Sequence, residues 1–187
     1  MKAFVYVLLA ASSAFGVAQQ PAISPADALN KIAFLQGDWA GKQDFNTNGG
    51  PAVVGEATDQ IQLGIANRYL CEMLSTTMPG GHPTDTRHFI SFDAKTQKYT
   101  AWWFNDTSTH PSVLTGDLTG NKLVLMSDAS AAGPVLRATY ESPTDGKLTF
   151  LLEMKMGDSW TRLFLTTYSR RTPAGKQHAT DQSAKGK

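Results

Sequence analysis

The sequence has little of what a disulfide, a membrane-spanning helix or a charged partner would require. It contains one cysteine, Cys71, which excludes an internal disulfide and leaves packing to hold the fold together. The apolar run at residues 4–14 is shorter than the roughly 20 residues with which a helix crosses a bilayer. The formal net charge is only +1, so no overall field attracts nucleic acid or an anionic membrane. We therefore expect neither a nucleic-acid partner nor a membrane span.

Familiar catalytic and metal-binding motifs are also missing. The sequence has no Gly-x-Ser-x-Gly, no phosphate-binding glycine loop and no His-Glu-x-x-His. None of its four histidines shows zinc-ligand spacing, and only one of them falls within a predicted strand. These are His82, His88, His110 and His178, of which His88 is the strand residue. The sequence thus predicts no catalytic residue, no metal site and no cofactor, and it favours a binding protein over an enzyme.

The N-terminus has the pattern of an export signal. Lys2 precedes the apolar run, and small residues at positions 16 and 18 suit cleavage after Ala18. We expect residues 1–18 to be a signal peptide and the protein to be periplasmic or secreted; a retained N-terminal anchor is the alternative. Removal of Lys2 with the leader leaves 16 basic residues against 16 acidic ones. Residues 172–187 form a basic tail with few apolar residues, which we expect to be too polar to order itself.

A short helix and ten strands are predicted between these ends. Residues 19–33 form a linker and a helix, because Ser24 is a good N-cap and Pro25 suits the first helical position. From residue 34 to 171, alternating apolar and polar residues separated by Gly, Asn and Asp turns predict strands. The predicted strands are 37–45, 53–65, 68–77, 86–93, 98–106, 112–118, 122–127, 135–141, 147–155 and 160–170. They favour an all-β, up-and-down antiparallel barrel; an immunoglobulin-like sandwich is the alternative, without the Cys pair that would support it.

Several short segments resemble a known family. Gly37-Asp38-Trp39 resembles the opening Gly-x-Trp of lipocalins and other calycin barrels. Further matching segments are Leu63-Gly64, Asn67 to Leu70, Phe92-Asp93, Lys98-Tyr99, Trp103-x-Asn105 and Tyr168-x-Arg170. Together, over residues 34–171, they resemble the bacterial domain of unknown function 1579. The sequence departs from that pattern at Asn67, where Gly is usual, and at Asn105, where Asp is usual.

The resemblance implies a calycin-like barrel and a structural role for two residues at its end. In such barrels a Trp of the first strand closes one end, and an Arg of the last strand packs across it. Here the resemblance points to Trp39 with Arg170 or Arg162. Stacking of a guanidinium on an aromatic face is the physical basis of that contact. The family has no established activity, so no reaction follows from the resemblance.

The polar residues expected to face the barrel interior form the candidate ligand site. They are Arg68, Glu72, Tyr99, Trp103, Asn105 and Arg137. We expect them to line a cavity for a small apolar or acidic molecule, with Arg68 or Arg137 holding an anionic head group and Trp103 stacking on its body. The alternative is that the charged side chains only pair with one another across strands.

Three other functions stay open from the sequence. One is a haem-binding barrel with a histidine as axial ligand, similar to the nitrobindins. Another is an enzyme in which Glu72 and Glu153 form an inward carboxylate pair. The third is an interaction module, because Trp102-Trp103-Phe104 places an aromatic on both strand faces. Either the N-terminal helix covers the outward ring there, or a second copy does so in a homodimer.

Overall fold

The computed structural model describes residues 22–106, 108–129, 133–142 and 145–171. The predicted signal peptide and the basic tail lie outside the described residues. The helical elements are α1 (Pro25–Lys31) and a 3-10 turn (Ala33–Leu35). The strands are β1 (Gly37–Phe45), β2 (Val53–Gly64), β3 (Tyr69–Thr77), β4 (Pro83–Asp93), β5 (Lys98–Asn105), β6 (Ser112–Thr119), β7 (Lys122–Ser127), β8 (Leu136–Glu141), β9 (Leu148–Met156) and β10 (Ser159–Arg170).

The ten strands close into one antiparallel barrel. Each strand pairs with its neighbours in the chain, and β1 completes the circle by pairing with β10. The closing register runs from Trp39 opposite Arg170 to Phe45 opposite Phe164. Closure gives every strand two partners and removes the unpaired edges of an open sheet. The predicted all-β barrel with a short N-terminal helix is confirmed, and the alternative of two packed open sheets is wrong.

Strict alternation along the strands separates an apolar interior from a polar outer surface. The largest fully buried side chains are Trp39, Tyr140, Tyr168, Phe150, Ile32, Leu35, Ile61, Leu70, Ile90, Leu114, Leu123 and Leu125. A bulge between Arg162 and Phe164 shifts the β9–β10 register. Because the extra residue reverses the faces, Phe164 and Tyr168 point inward, whereas Trp160 and Arg162 lie outside.

The N-terminal helix packs against one end of the barrel. Ser24 caps it, with its hydroxyl accepting from the Asp27 amide at 3.2 Å. Leu29 and Ile32 are buried, and the Tyr99 hydroxyl of β5 donates to the Ala28 carbonyl at 2.8 Å. The apolar side of α1 therefore covers the barrel end formed by the β4–β5 turn. Within the described residues, no helix combines the length and apolar character needed to cross a membrane.

Candidate functional site: a buried carboxyl pair inside the barrel

The first strand supplies a closed floor beneath the interior site. Trp39 is buried, and its indole N–H donates to the Leu35 carbonyl at 2.8 Å. The guanidinium of Arg170 lies 4.4 Å from the centre of the Trp39 ring. Gly37 has a φ of +148°, and a Cβ there would collide with the Arg170 guanidinium. The Gly-x-Trp segment is thus explained by an indole and an arginine that both need the space beside Gly37.

Three ionisable side chains from adjacent strands point into the barrel above this floor. Asp59 of β2, Glu72 of β3 and His88 of β4 are 3%, 1% and 2% exposed. Each occupies an inward position of its strand. Asp59, for example, lies on the same strand face as the buried Ala57 and Ile61. Glu72 and His88 are direct partners in the β3–β4 register. Strand alternation and pairing therefore bring three chemically active groups together in a water-poor interior.

One oxygen of Glu72 is held by two donors. The hydroxyl of Tyr140 on β8 donates to Glu72 Oε2 at 2.8 Å, and His88 Nδ1 lies 2.9 Å from the same oxygen. The two donors are themselves 3.3 Å apart. Burial lowers the pKa of His88 to about 3, so the imidazole is neutral and its Nδ1–H donates to the carboxylate. Glu72 Oε2 is therefore fixed from two sides of the barrel.

The other oxygen of Glu72 faces Asp59. Burial is the main cause that raises the pKa of Asp59 to about 9, and the neighbouring Glu72 raises it further. Burial also raises the pKa of Glu72 to about 7, although hydrogen bonds from Tyr140 and Asp59 favour its ionised form. Two carboxylates this close in a low-dielectric interior do not both ionise. Near neutral pH, Asp59 is protonated and donates to Glu72, so the pair shares one proton.

Apart from the proton that the two carboxyl groups share, four buried polar atoms in this interior have no hydrogen-bond partner of good geometry among the described residues. They are Asp59 Oδ1, Glu72 Oε1, Trp103 Nε1 and the Tyr168 hydroxyl. The shared proton links the two carboxyl oxygens, but the indole N–H and the phenol stay without a partner. Thr166 lies near the Tyr168 hydroxyl, but the two groups do not form a hydrogen bond of good geometry. Such groups are rare in protein interiors, because each costs about 1–3 kcal/mol when unsatisfied.

Aromatic rings pack around the carboxyl pair. Trp103 of β5 stacks on the His88 ring with centroids 4.4 Å apart. Phe150 of β9 stacks on Tyr140 at 4.6 Å and meets Trp103 edge-on at 5.8 Å. These rings fix the rotamers of the groups that hold Glu72. Together with Tyr168 they form the aromatic wall of the interior site.

A second polar layer lies further from α1. Gln43 of β1 is buried, and its Oε1 accepts from the hydroxyls of Thr76 at 3.2 Å and Thr166 at 3.1 Å. Beyond it, Phe45 and Phe164 meet edge-on at 6.0 Å near the end of the barrel that α1 does not cover. The donors and acceptor of this layer satisfy one another, unlike the unpaired atoms beside Asp59.

The structure places three of the predicted ligand-site residues inside the barrel. Glu72 and Trp103 belong to the carboxyl pair and its aromatic wall. Tyr99 is also buried, but its hydroxyl donates to the Ala28 carbonyl. It therefore helps to attach α1 to the end of the barrel that α1 covers. Asn105 is half-buried at the last position of β5, on the same strand face as Trp103.

The inward orientation predicted for two arginines is wrong. Arg68 is exposed in the β2–β3 turn, one residue before β3 begins. Arg137 lies on the outer face of β8, where its Nε donates to Glu153 Oε2 at 2.7 Å and its guanidinium stacks on Trp160 at 4.3 Å. Since Ala138 and Tyr140 take the inward positions of β8, Arg137 must point outward. An acidic ligand would thus find neither predicted cation in the interior.

The predicted Glu72–Glu153 pair is wrong for the same geometric reason. Glu153 stands directly opposite Arg137 in the β8–β9 register and shares its outer face. Glu72 pairs with Asp59 instead. Helix α1 does not cover the outward aromatic rings either, because it packs on the barrel end and leaves Phe104 44% exposed.

The sequence reasoning missed four central residues, and their positions carried a signal. Asp59, His88 and Tyr140 each share a strand face with a buried apolar residue two positions away, whereas Tyr168 shares its face with the buried Thr166. A polar residue on an apolar strand face is the informative observation. The sequence predicts that His88 lies in a strand, but the spacing of the histidines says nothing about its contact with a carboxylate. Among the described residues, no three His, Cys, Asp or Glu side chains are arranged to hold a metal ion.

Comparison with known proteins supports the barrel fold and identifies a family, but it indicates no chemical activity. Residues 25–171 match the model of a family described as "Protein of unknown function (DUF1579)". The chain is similar to the crystal structure of Rv2717c from M. tuberculosis, with a TM-score of 0.57 and 15% identity. That alignment covers 80% of this chain and 100% of the other. At this identity the similarity shows a shared barrel fold alone. No curated protein matches the chain.

Proposed function

Because the chain belongs to the DUF1579 family, to which no function is assigned, we propose from its interior geometry that the barrel binds a small polar molecule. The ligand lies beside Asp59 and Glu72, with Trp103 and Tyr168 as further contacts. Barrels of this kind are wide enough to hold one small ligand. A site with a few convergent polar groups among aromatic rings has the composition typical of small-molecule sites.

The observation that carries this proposal is the set of unpaired polar atoms. Trp103 is 6% exposed and Tyr168 is fully buried, yet Trp103 Nε1 and the Tyr168 hydroxyl have no partner of good geometry in the described part of the chain. Leaving such groups unsatisfied is unfavourable, so a partner supplied from outside stabilises the folded protein. A ligand with an acceptor for the indole N–H and a donor for the carboxyl pair satisfies both.

Access to this site is proposed from the barrel end opposite α1. Helix α1 and Trp39 occupy the near end, where Tyr99 and Arg170 add further contacts. At the far end, the interior is bordered by Phe45 and Phe164, which are only partly buried. We propose that these two rings and the Gln43 side chain behind them move to open the path.

The indole N–H resonances of the protein provide a direct test. A library of small cationic, neutral and anionic polar molecules is titrated while the four indole signals are followed by NMR, with Trp103→Phe used for assignment. Binding in the interior shifts the Trp103 signal and leaves that of Trp160, on the outer face, in place. Trp160 is thus an internal control in the same spectrum. If no molecule moves the Trp103 signal selectively, the proposed function is overturned.

A second candidate function is acid–base catalysis by the carboxyl pair. The specific observation is that Asp59 and Glu72 share a proton while neutral His88 contacts the same carboxylate. A protonated acid beside an ionised one is an arrangement that many enzymes use to move protons. The readout is turnover of any molecule found to bind, compared between the natural protein and Asp59→Asn. Equal, negligible turnover in both leaves ligand binding as the function.

An apolar patch on the outer face favours self-association as an additional property. Ile65, Tyr69, Phe89, Trp102 and Phe104 line one surface depression, and Ile65 and Phe104 are 60% and 44% exposed. Exposed apolar groups of this kind often mark contact surfaces. We propose that a second copy of the chain covers the patch. Light scattering then gives a dimer mass for the natural protein and a monomer mass for Phe104→Ser; a monomer mass for both contradicts it.

Export of the protein remains a proposal based on its first 18 residues. The sequence of Lys2, an apolar run and small residues up to Ala18 is typical of a cleaved leader. Mass spectrometry of the protein from its native host is expected to show Gln19 as the first residue. An intact Met1 in a cell fraction free of periplasm would contradict export.

A further inference from the structure

We infer that the ligand of the barrel interior is a small organic cation, whose ammonium group takes the place of the proton shared by Asp59 and Glu72. This inference rests on the binding of a small molecule proposed above and adds its chemical class. Three observations support it: the charge of the interior, the aromatic rings around the carboxyl pair, and the buried polar atoms without hydrogen-bond partners. Each of these observations favours an ammonium over a neutral or acidic molecule.

The charge of the interior favours a cation. Asp59 and Glu72 together carry two carboxyl groups, and none of the lysines or arginines in the described part of the chain is buried. The guanidinium of Arg170 lies at the barrel end, where it stacks on Trp39. A bound ammonium carries the same +1 charge as the shared proton, so both carboxyl groups can ionise without any change in the net charge of the site. An anion would meet the opposite field.

The aromatic wall also suits a cation. Trp103, Tyr140, Tyr168 and Phe150 surround the carboxyl pair, and all are at least nine-tenths buried. Ring faces attract cations, most strongly when water is excluded. Carboxylates combined with aromatic faces form a typical environment for organic ammonium groups.

The unpaired donors define the other half of the ligand. Trp103 Nε1 donates only, so the ligand must offer an acceptor such as a hydroxyl or carbonyl oxygen. The Tyr168 hydroxyl can donate to the same oxygen. The class is therefore a small amine that also carries an oxygen acceptor, an amino alcohol being the simplest example.

The remaining titratable groups facing the pair do not compensate its charge. They are His88 from β4, Tyr140 from β8 and Tyr168 from β10; β1, β5 and β9 contribute Trp39, Gln43, Trp103 and Phe150. His88 is neutral, and both phenols stay protonated because burial raises their pKa. When the ammonium binds, the proton held by Asp59 therefore leaves to the buffer. Once Glu72 is ionised, above about pH 7, each ammonium that binds releases one proton.

Three matched probes test the inference. Ethanolamine, ethylene glycol and glycolate share a hydroxyl and differ in charge, being a cation, a neutral molecule and an anion. Each is titrated into the full-length protein, and the Trp103 indole signal reports its affinity. We expect ethanolamine to bind at least about tenfold more tightly than the other two, equivalent to about 1.4 kcal/mol. Its affinity should rise about tenfold per pH unit between about pH 7 and 8, because one proton is released.

Variants locate the effect at the carboxyl pair. Asp59→Asn removes the releasable proton, so the pH dependence of ethanolamine binding is lost and the affinity falls about tenfold or more. Glu153 lies on the outer face and pairs with Arg137, so Glu153→Gln is the matched carboxylate control. It should leave the affinity for ethanolamine and its pH dependence unchanged. Thermal unfolding of Asp59→Asn confirms that the variant is folded before its affinity is read.

The outcomes separate the inference from the function on which it rests. Ethanolamine binding that follows pH and is lost in Asp59→Asn supports both. Tighter binding of ethylene glycol or glycolate, or ethanolamine binding without pH dependence, overturns the cation while leaving a binding barrel. If ethanolamine fails and a library molecule still shifts Trp103, the cation is again overturned alone. If nothing shifts Trp103, the proposed function fails as well.

Discussion

The inner and outer surfaces of the barrel each carry a buried or half-buried carboxylate beside aromatic rings, but they neutralise it differently. On the outside, Glu153 accepts from Arg137 at 2.7 Å, and the guanidinium stacks on Trp160. On the inside, Glu72 has no cation; it is held by a phenol and a neutral imidazole and shares a proton with Asp59. The same residue type is thus a salt-bridge partner on one face and half of an acid pair on the other.

The difference follows from where water can reach. An arginine on the outer face keeps part of its hydration, so pairing it with Glu153 costs little. Burying an arginine in the interior would have a large desolvation cost, whereas a shared proton neutralises the pair at once. The outer pair is complete within the protein. The inner group leaves polar atoms unpaired, which is why the interior is the candidate site.

The largest expected difference concerns the two stacked tryptophans. Trp39→Ala removes a fully buried indole and should lower the free energy of unfolding by about 3–5 kcal/mol. Trp160→Ala removes a partly exposed indole and its contact with Arg137, and should cost about 1 kcal/mol. Chemical denaturation of both variants measures the difference. Similar losses would contradict the role of Trp39 as the closed floor of the barrel.

The next effect is a pH dependence of stability that only the inner pair produces. The pKa of Asp59 is raised from 3.8 to about 9, so the folded protein holds a proton that the unfolded chain has released. Stability from this group is therefore full below about pH 4 and is lost as pH rises towards about 9. His88 has the opposite effect on the pH dependence of stability, because burial lowers its pKa. That effect is confined to pH values below its unfolded-state pKa of about 6.5.

Denaturation at several pH values measures this effect. Between about pH 7 and 9 the free energy of unfolding should fall by up to about 1.4 kcal/mol per pH unit. Asp59→Asn should flatten the curve, because an amide does not titrate. Asp44→Asn is the control, since Asp44 pairs with Arg162 on the outer face and is 44% exposed. A decline that persists in Asp59→Asn would show that the inner pair does not hold the proton.

The fold was largely predictable from the sequence, and the inner pair was not. Turn residues and alternation placed ten strands within a few residues of their observed ends, since those signals are local. Arg68 is predicted inward because it shares a strand face with Leu70 and Glu72, but the turn before β3 ends that alternation. Arg137 was predicted on the wrong face because its neighbour Ala138 takes the inward position. The contact between Asp59 and Glu72 depends on the β2–β3 register, and the contact of Glu72 with Tyr140 crosses the barrel. Neither is encoded in spacing along one strand.

Two tyrosines give a smaller and sharper test within the interior. The Tyr140 hydroxyl donates to Glu72, so Tyr140→Phe should lower the free energy of unfolding by about 1.5–3 kcal/mol. The Tyr168 hydroxyl has no such partner, so Tyr168→Phe should be neutral or stabilising by up to about 1 kcal/mol. A molecule that binds in the interior should stabilise the natural protein more than Tyr168→Phe, because only the natural protein retains the Tyr168 hydroxyl. A large loss in Tyr168→Phe alone would mean that its hydroxyl is already satisfied.

The smallest effect is expected for the ion pair on the outer face. Arg137 and Glu153 are 29% and 14% exposed at their side chains, so solvent screens part of their attraction. A double-mutant cycle with Arg137→Met and Glu153→Gln should give a coupling energy of about 0.5–1 kcal/mol that falls as salt is added. Stability near neutral pH should otherwise change little, because the pair carries no proton. A coupling as large as the loss from Tyr140→Phe would remove the contrast, since the outer carboxylate would then be held as tightly as the inner one.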